Sequence, residues 1–322
     1  MRDPYEPWRE TLLSVERVRE LSRLRPTRVV ADTAACWFWI LAAWTAVCLW
    51  PRPWVIALAV PVIGNRYYAL FILGHDGMHR RLFPSLKAND LFCDLLLLGP
   101  IGAITRINNG NHLAHHRHLA TELDPDRYKH ACFNKTTRVE YLAFLSGLTS
   151  VWRAVRAVFV EAGRGVSAER RYNFRDLVIL AGWQGLLIGG LSAAIGPWAW
   201  PLLWLLPVYL FSYLADLLRS FVEHSHPQAD AQADARRLIS FVSHPLERLV
   251  FAPMSMNLHA AHHLWTSIPY YNLARADREM QTHPQSAGLE WRGTYLGYLL
   301  RYFVALPLPG CRRNAAVAAS AR

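Results

Sequence analysis

Cysteine is scarce in this sequence: five of the 322 residues are cysteine, and no two of them stand in a CxxC spacing. Neither a disulfide framework nor an iron–sulfur cluster is therefore predicted. The chain also lacks a GxGxxG fingerprint for a dinucleotide. His244-Pro245 is followed by Leu246, where a cytochrome-b5-type haem segment would have glycine. The sequence therefore does not indicate a bound redox carrier of any of these kinds.

Charge is also scarce, since 18% of the residues are charged and 52% are hydrophobic. Residues 177–215 contain no charged side chain, and about 20 apolar residues suffice to cross a bilayer as a helix. This run predicts two membrane spans. An earlier pair is predicted at 33–50 and 54–74, where Asn65 and Arg66 interrupt the second apolar run. A buried helix of a soluble protein rarely stays apolar all round for such lengths.

Acidic residues are outnumbered, with 24 Asp and Glu against 35 Lys and Arg, for a net charge of +11. Seven arginines lie among the first 31 residues, whereas the two predicted hairpin turns contain only Arg52. By the positive-inside rule, both termini are expected in the cytosol, and we predict a bacterial inner membrane. The excess charge suits anionic lipid or an acidic protein partner, and no nucleic-acid-binding module is indicated.

These observations predict an all-α integral membrane fold. Four transmembrane helices form two hairpins, and a cytosolic helical cap completes a single domain over 1–322. The predicted segments are a cytosolic N-terminal segment, a first hairpin, a cytosolic region, a second hairpin and a second cytosolic region. Their boundaries are 1–31, 33–74, 75–176, 177–217 and 218–322.

Histidine is concentrated in three short clusters, "HDGMH", "HLAHH" and "HAAHH", which contain eight of the 14 histidines. On a helix, positions i, i+3 and i+4 project from one face and can reach one metal centre. Imidazole suits Fe, Zn, Cu and Ni, so the ligand type does not name the metal, but eight nitrogens exceed what one ion can use. The clustered histidines are His75, His79, His112, His115, His116, His259, His262 and His263.

The three clusters resemble the histidine boxes of the integral-membrane fatty acid desaturase superfamily, which includes membrane hydroxylases and carotenoid ketolases. The similarity rests on "GHDGMH", on "NHLAHHRH" followed by "DPD", and on "NLHAAHHLWTSIPYYNL", in this order relative to the spans. It implies a non-haem centre of two Fe ions, O2 as the oxidant, and two electrons from a separate donor. The expected substrate is a lipid or another apolar molecule, and the expected activity is desaturation of a fatty acyl chain.

The resemblance assigns the eight box histidines as metal ligands and adds His224, from "RSFVEHSHP" just past the fourth span, as a ninth. The remaining histidines are expected to be non-ligands. They are His118, His130, His226, His244 and His283.

Metal-bound histidines usually donate their second ring N–H to a carboxylate or carbonyl. The polar residues nearest the boxes are candidates for this role, although Asp124 and Asp126 can equally cap the local turn in "LDPD". The candidates are Asp76, Asn111, Asp124, Asp126, Glu223 and Asn257.

A separate donor is expected because the chain shows no carrier site of its own, and the basic face favours an acidic protein such as ferredoxin. Residues 141–162 show a helical apolar stripe and predict one helix, lying either on the membrane or on the catalytic cap. The apolar runs 95–105 and 296–310 are too short to span, and we expect them to dip into the interface or cover the site.

Two alternatives stay open at this point. An oxygenase of carotenoids or specialised metabolites would share every box and differ in the lining of its pocket. A histidine-rich metal transporter would instead place its ligands near the bilayer midplane.

Two charges interrupt the predicted spans: Arg66 lies nine residues before His75, and Asp216 lies eight residues before His224. At about 1.5 Å rise per residue, both lie roughly 12–14 Å below those histidines. Charges within a membrane usually find a partner, so we expect an ion pair between Arg66 and Asp216. The alternative is that Arg66 bonds backbone carbonyls or lines the substrate channel.

Overall fold

The computed structural model describes residues 5–132, 135–156, 172–225 and 237–307. Within these residues, four helices are long and apolar enough to cross a membrane, so the predicted helical membrane fold is confirmed. These four helices, here called the first to fourth spans, are Pro26–Leu49, Pro53–Met78, Phe174–Ala194 and Pro201–His224.

Shorter helices lie before, between and after the spans. They are Glu6–Leu12, Val15–Leu21, Leu86–Cys93, Thr105–His118, Arg127–His130, Arg138–Leu145, Leu148–Arg156, Pro245–Phe251, His259–Leu264, Tyr270–Thr282 and Tyr295–Ala305. The structure adds one feature to the predicted all-α class, a parallel pair of strands at Ile239–Phe241 and Glu290–Arg292.

The ends of the spans follow from local chemistry. Pro26 and Pro53 occupy the first turns of the first two spans. A backbone N–H at this position has no partner within the helix, so the absence of one in proline costs no hydrogen bond. The third span begins with a capping box, in which Asn173 and Asp176 accept each other's backbone N–H groups. The second and fourth spans both continue to the box side of the membrane, and the second span therefore includes His75.

The run 95–105 is held by side chains from three spans. Trp37 of the first span donates to the carbonyl of Leu96 at 3.0 Å, and Trp183 of the third donates to the carbonyl of Leu95 at 2.8 Å. Tyr67 of the second span donates to the next carbonyl along, at 2.7 Å. These carbonyls lie in a widened helical turn, Asp94–Leu98, and the three bonds fix the segment against the spans.

The two short strands position the third box. Ser240 in the first strand accepts the backbone N–H of Ala260 at 3.2 Å, inside the helix His259–Leu264. Asn257, just before that helix, donates to the carbonyl of Phe241 at 2.6 Å. The box-three helix is therefore tied to the strand pair at its first turn.

The predicted single helix over 141–162 is wrong. The described part forms two helices separated at Gly147, which has a left-handed φ of 71° that glycine adopts more readily than other residues. Tyr141 is buried and donates to the carbonyl of Leu299, whereas Trp152 is 65% exposed, so the apolar stripe is not one face. Residues 157–162 of this prediction lie outside the described residues.

The run 296–310 forms a helix over Tyr295–Ala305, and residues from 308 onward lie outside the described residues. Leu296, Leu300 and Val304 are four residues apart and each about 60% exposed, which leaves one apolar face of this helix uncovered by the protein. Such a face is typical of a helix at a membrane interface, and the position of this helix, in the interface or over the site, stays a prediction.

Gly64 sets the distance between the second and fourth spans. A Cβ at this position would lie 2.6 Å from both the Phe211 ring and the carbonyl oxygen of Pro207. We predict that Gly64→Ala lowers the free energy of unfolding by about 1–3 kcal/mol, because an added methyl group overpacks the contact. Thermal unfolding in detergent measures the change. Gly182→Ala is the matched control, since its added methyl meets no atom within 4 Å; equal stability of the two variants would contradict the prediction.

Candidate metal centre

The nine predicted ligands come from four parts of the chain. His75 lies in the last turn of the second span, and His79 caps that helix. Helix Thr105–His118 carries the second box, His224 ends the fourth span, and helix His259–Leu264 carries the third box. Because the second and fourth spans end on the same side, all three boxes meet at the ends of these spans.

Within the described residues three groups have potential ligand atoms that all lie within 4.8 Å of one another, and two of these groups consist of histidines alone. His259 adjoins the second group, with its Nε2 2.9 Å from Nε2 of His224. Two groups suit two ions better than one. The first group is His75, His79, His112, His116 and His262, and the second is His115, His224 and His263.

The ring nitrogens face one another at distances that suit a shared cation. Nε2 of His112 lies 2.7 Å from Nε2 of His79 and 3.1 Å from Nε2 of His116. Nε2 of His116 lies 3.2 Å from Nε2 of His262. Nitrogens bound to one ion at about 2.0–2.1 Å lie roughly 3 Å apart when adjacent. The residues present therefore fit a pair of metal ions.

The electrostatics favour neutral imidazoles, the form that binds metal. Burial lowers the pKa of His79 to about 3. Burial, reinforced by neighbouring histidines, also lowers the pKa of five other box histidines outside the spans well below the usual range. These five are His112, His116, His259, His262 and His263.

Asp124 contacts one histidine of the second box, His115. Its two carboxylate oxygens lie 2.9 Å from Nδ1 of His115 and 2.9 Å from Nε2 of His130. Burial raises the pKa of Asp124, but the hydrogen bonds with the two histidines outweigh it and leave the pKa well below its usual range. Asp124 also accepts the backbone N–H groups of Ala120 and Asp126, so it both orients a ring and caps the turn.

Glu223 contacts one histidine of the third box, His259. One of its oxygens lies 3.3 Å from Nδ1 of His259 and accepts from Arg219 at 2.7 Å. The other accepts the hydroxyl of Tyr295 at 2.8 Å. Nδ1 of His224 lies 3.0 Å from the carbonyl oxygen of Arg237, which can accept its proton.

The other candidates for orienting a box histidine have different contacts. Asp76 lies 3.9 Å from Nδ1 of His75 but accepts the backbone N–H of Tyr270 at 2.8 Å. Asp126 pairs with Lys129, Asn257 supports the strand pair, and Asn111 is an exposed residue at a cavity beside the boxes. In the described structure these four residues therefore orient no box histidine through a direct hydrogen bond.

Sequence reasoning missed His130 and Arg219. His130 was expected to be a non-ligand, and its role as the second partner of Asp124 depends on the turn between them. Arg219 was readable in principle, because it lies three residues after Asp216 and four before Glu223, the spacings of neighbours on one helix face. It binds both carboxylates, at 2.9 and 2.7 Å.

The expected Arg66–Asp216 ion pair is not formed among the described residues. Arg66 hydrogen-bonds the side-chain oxygen of Asn65 and lines a separate groove with Phe211 and Leu249, so it borders neither of the cavities beside the histidines. Asp216 instead pairs with Arg219 and lies 3.5 Å from Lys129. Equal depth did not place the two side chains on facing sides of their helices.

Two adjoining cavities lie beside the histidines. The inner cavity, of about 210 Å³, is bordered by box histidines on one side and by Asp126, Lys129 and Asp216 on the other. The outer cavity, of about 300 Å³, lies between the spans and is mostly apolar. Phe71, Lys129 and Asp216 line both cavities, so they mark the junction.

We predict that Asp124→Asn weakens metal binding about 10- to 100-fold, because His115 loses the carboxylate that orients its ring. Metal content per chain after dialysis against a graded chelator series measures the effect. Asp126→Asn is the matched control, since Asp126 lies two residues away in the same turn and contacts no box histidine. Retention of metal by Asp124→Asn at the wild-type chelator concentration would refute this role.

The chain was compared with known proteins. The family model "Fatty acid desaturase" matches residues 51–295. The chain is 26% identical over 244 residues to a beta-carotene ketolase of Paracoccus sp. (strain N81106 / MBIC 01143), a match that covers 73% of this chain and 87% of the relative. It is 24% identical over 273 residues to an sn-1 oleoyl-lipid 12-desaturase of Anabaena variabilis, covering 78% of this chain and 73% of the relative.

The family match spans well over half of the chain and contains all three histidine boxes and His224. It excludes the metal-transporter alternative and agrees with the position of the boxes at the span ends. With four apolar spans and two buried histidine groups, the chain belongs to the fatty acid desaturase family of integral-membrane oxidoreductases.

Proposed function

We propose that this protein desaturates a fatty acyl chain, using two iron ions held by the three boxes and His224. The observation that carries the proposal is that the histidine-lined inner cavity adjoins an apolar outer cavity between the spans, with three lining residues in common. In the reaction, two hydrogen atoms leave adjacent carbons of the chain. Together with two electrons and two protons from outside, they reduce one O2 to two water molecules, and a C=C bond forms.

The proposed iron ligands are the two nitrogen groups described above together with His259. When bound, the two ions supply the activation of O2 that an unactivated C–H bond requires. The protein itself positions the ligands. Asp124 contacts His115, and Glu223 contacts His259, each through the ring nitrogen Nδ1. Fixed ring orientations keep the reacting centre in one place relative to the cavity.

The substrate route is proposed to run through the outer cavity. Ile101, Val208 and Leu217 give it an apolar lining between the second and fourth spans. An acyl chain is concentrated in the bilayer, so entry between spans brings it to the metals without crossing water. The cavity walls then decide which carbon reaches the metals, since an oxidant attacks the C–H bond that is held nearest.

The boxes and both termini are proposed to face the cytosol, where reduced carriers are found. This orientation follows the excess of arginine and lysine outside the hairpin turns. The net charge of +11 supports an acidic electron donor such as ferredoxin.

We predict that expression with ferredoxin and its reductase produces new unsaturated acyl chains, and that His262→Ala abolishes them. His262 belongs to the first nitrogen group, so its removal disrupts the proposed iron site. Gas chromatography with mass spectrometry of total lipid measures the products, and iron per chain is measured in parallel. His118→Ala, on the box-two helix but outside both nitrogen groups, should retain product and iron. An acyl profile unchanged by the wild-type protein would refute acyl desaturation.

Turnover with ferredoxin should fall as ionic strength rises from about 0.01 M to 0.15 M, because the Debye length shortens from about 30 Å to about 8 Å. Initial rates at subsaturating ferredoxin measure the dependence. A neutral chemical reductant serves as the control and should support a rate that salt does not change. A ferredoxin-dependent rate indifferent to salt would contradict charge-steered docking.

A second candidate is oxygenation of a carotenoid, favoured by the match that covers 87% of a beta-carotene ketolase. Conversion of a CH2 group to a ketone would use two O2, four electrons and four protons and would release three water molecules. The same strains, supplied with a carotenoid-producing background, distinguish the candidates: new carotenoid ketones with an unchanged acyl profile would favour the second.

A further inference from the structure

The fourth span presents a polar residue to the cavities at every turn. Ser212, Asp216, Ser220 and His224 are four residues apart, the spacing that keeps side chains on one helix face. Ser212 and Asp216 line the outer cavity, and Asp216, Ser220 and His224 line the inner one. A channel built for a plain hydrocarbon chain would need none of the three residues that precede His224.

Lys129 faces this stripe from helix Arg127–His130. Its ammonium nitrogen lies 3.2 Å from Oδ2 of Asp126 and 3.5 Å from Oδ2 of Asp216. Burial lowers the pKa of Lys129, but the nearby carboxylates, Asp126 first and then Asp216, raise it more, so the side chain is cationic. An ammonium has three N–H donors, and its two carboxylate contacts, with Asp126 at 3.2 Å and with Asp216 at 3.5 Å, occupy at most two of them. Donor capacity therefore remains at the junction of the cavities.

Acceptor capacity remains there as well. Arg219 binds Oδ1 of Asp216 at 2.9 Å, which leaves Oδ2 beside Lys129. The hydroxyl oxygen of Ser212 is buried and has no hydrogen-bond partner among the described residues. Only 19% of the Lys129 side chain and 17% of the Asp216 side chain are exposed, and both line the cavities.

A hydrocarbon chain filling this junction would remove water from an ammonium, a carboxylate and a hydroxyl and return no hydrogen bond. Leaving a buried polar group unsatisfied costs about 1–3 kcal/mol, and more when it is charged. An oxygen atom on the substrate would offset that cost. Because the inner cavity is small and includes both Lys129 and the box histidines, such an oxygen would lie within a few bonds of the carbon that reacts.

We propose that the substrate is an amphipathic lipid with a hydroxyl or carbonyl oxygen close to the oxidised carbon, and that Lys129 donates a hydrogen bond to this oxygen. Asp216 positions the Lys129 ammonium and accepts from a substrate hydroxyl where one is present. The apolar remainder of the substrate occupies the outer cavity. This inference rests on the proposed oxidation of a lipid chain and narrows it to chains oxidised near a polar group.

The test compares hexadecanol with hexadecane, two probes that share a chain length and differ in one hydroxyl. Each is titrated into the purified, iron-loaded protein in detergent, and ligand-induced stabilisation against thermal unfolding gives the affinity. The wild-type protein should bind the alcohol at least about tenfold more tightly than the alkane, since a hydrogen bond to a charged group is worth about 1.5–3 kcal/mol.

Lys129→Met should remove the preference for the alcohol while retaining affinity for the alkane, and Lys129→Arg should restore part of it. Lys87→Met, at an exposed lysine distant from the cavity linings, is the matched control and should behave as wild type. Equal affinities of the wild-type protein for the two probes would overturn the inference. So would an equal loss of both affinities in Lys129→Met, which would mark the ion pairs as structural.

Binding and turnover separate this inference from the proposed function. An alcohol preference that depends on Lys129, without new unsaturated chains in the expression strains, would sustain the polar subsite and refute acyl desaturation. New unsaturated chains from a protein that shows no such preference would sustain desaturation and refute the subsite.

Discussion

Nine imidazoles from four separate parts of the chain must face one small volume without carrying charge, and the rest of the structure serves this requirement. Protonated rings at nitrogen separations of 2.7–3.2 Å would repel one another, so the site must be buried enough to keep them neutral. Burial there requires the second and fourth spans to approach closely, because each ends in a histidine of the cluster. Gly64 permits that approach by leaving room for Phe211.

The charged side chains near the cluster lie at its edge and are paired there. Asp124 and Glu223 contact ring nitrogens on the outer side of the histidines, where a carboxylate can hold a ring without entering the metal positions. Arg219 lies between Asp216 and Glu223 and binds both. A buried charge without a partner would be strongly unfavourable, so this arrangement allows a polar site to form beside an apolar membrane core.

The fourth span has two different faces, which its composition alone does not reveal. One side packs on the second span through Phe211 and Trp204, whose ring centroid lies 4.7 Å from that of Tyr67. The cavity side carries Ser212, Asp216 and the final histidine. The helix therefore packs on the second span with one face and lines the cavities beside the histidines with the other.

The sequence by itself determined the existence of the spans and the histidine boxes. Both depend on local patterns: unbroken apolar runs cannot be solvated in water, and the i, i+3, i+4 spacing aligns ligands on whichever helix forms. The family resemblance, carried by the same boxes, was confirmed. The ends of the helices were harder to predict from the sequence. The break at Gly147 was not predicted because the apolar spacing continues across it.

Only the tertiary structure decided which polar groups are partners. Arg66 and Asp216 lie at similar depths, but depth does not specify the rotation of a helix about its axis, and each side chain found a nearer partner. Asp124 reaches both His115 and His130 because a turn folds back between them, and Glu223 meets His259 across 35 residues of chain. Such contacts depend on the packing angles of several helices at once, which no local pattern of residues contains.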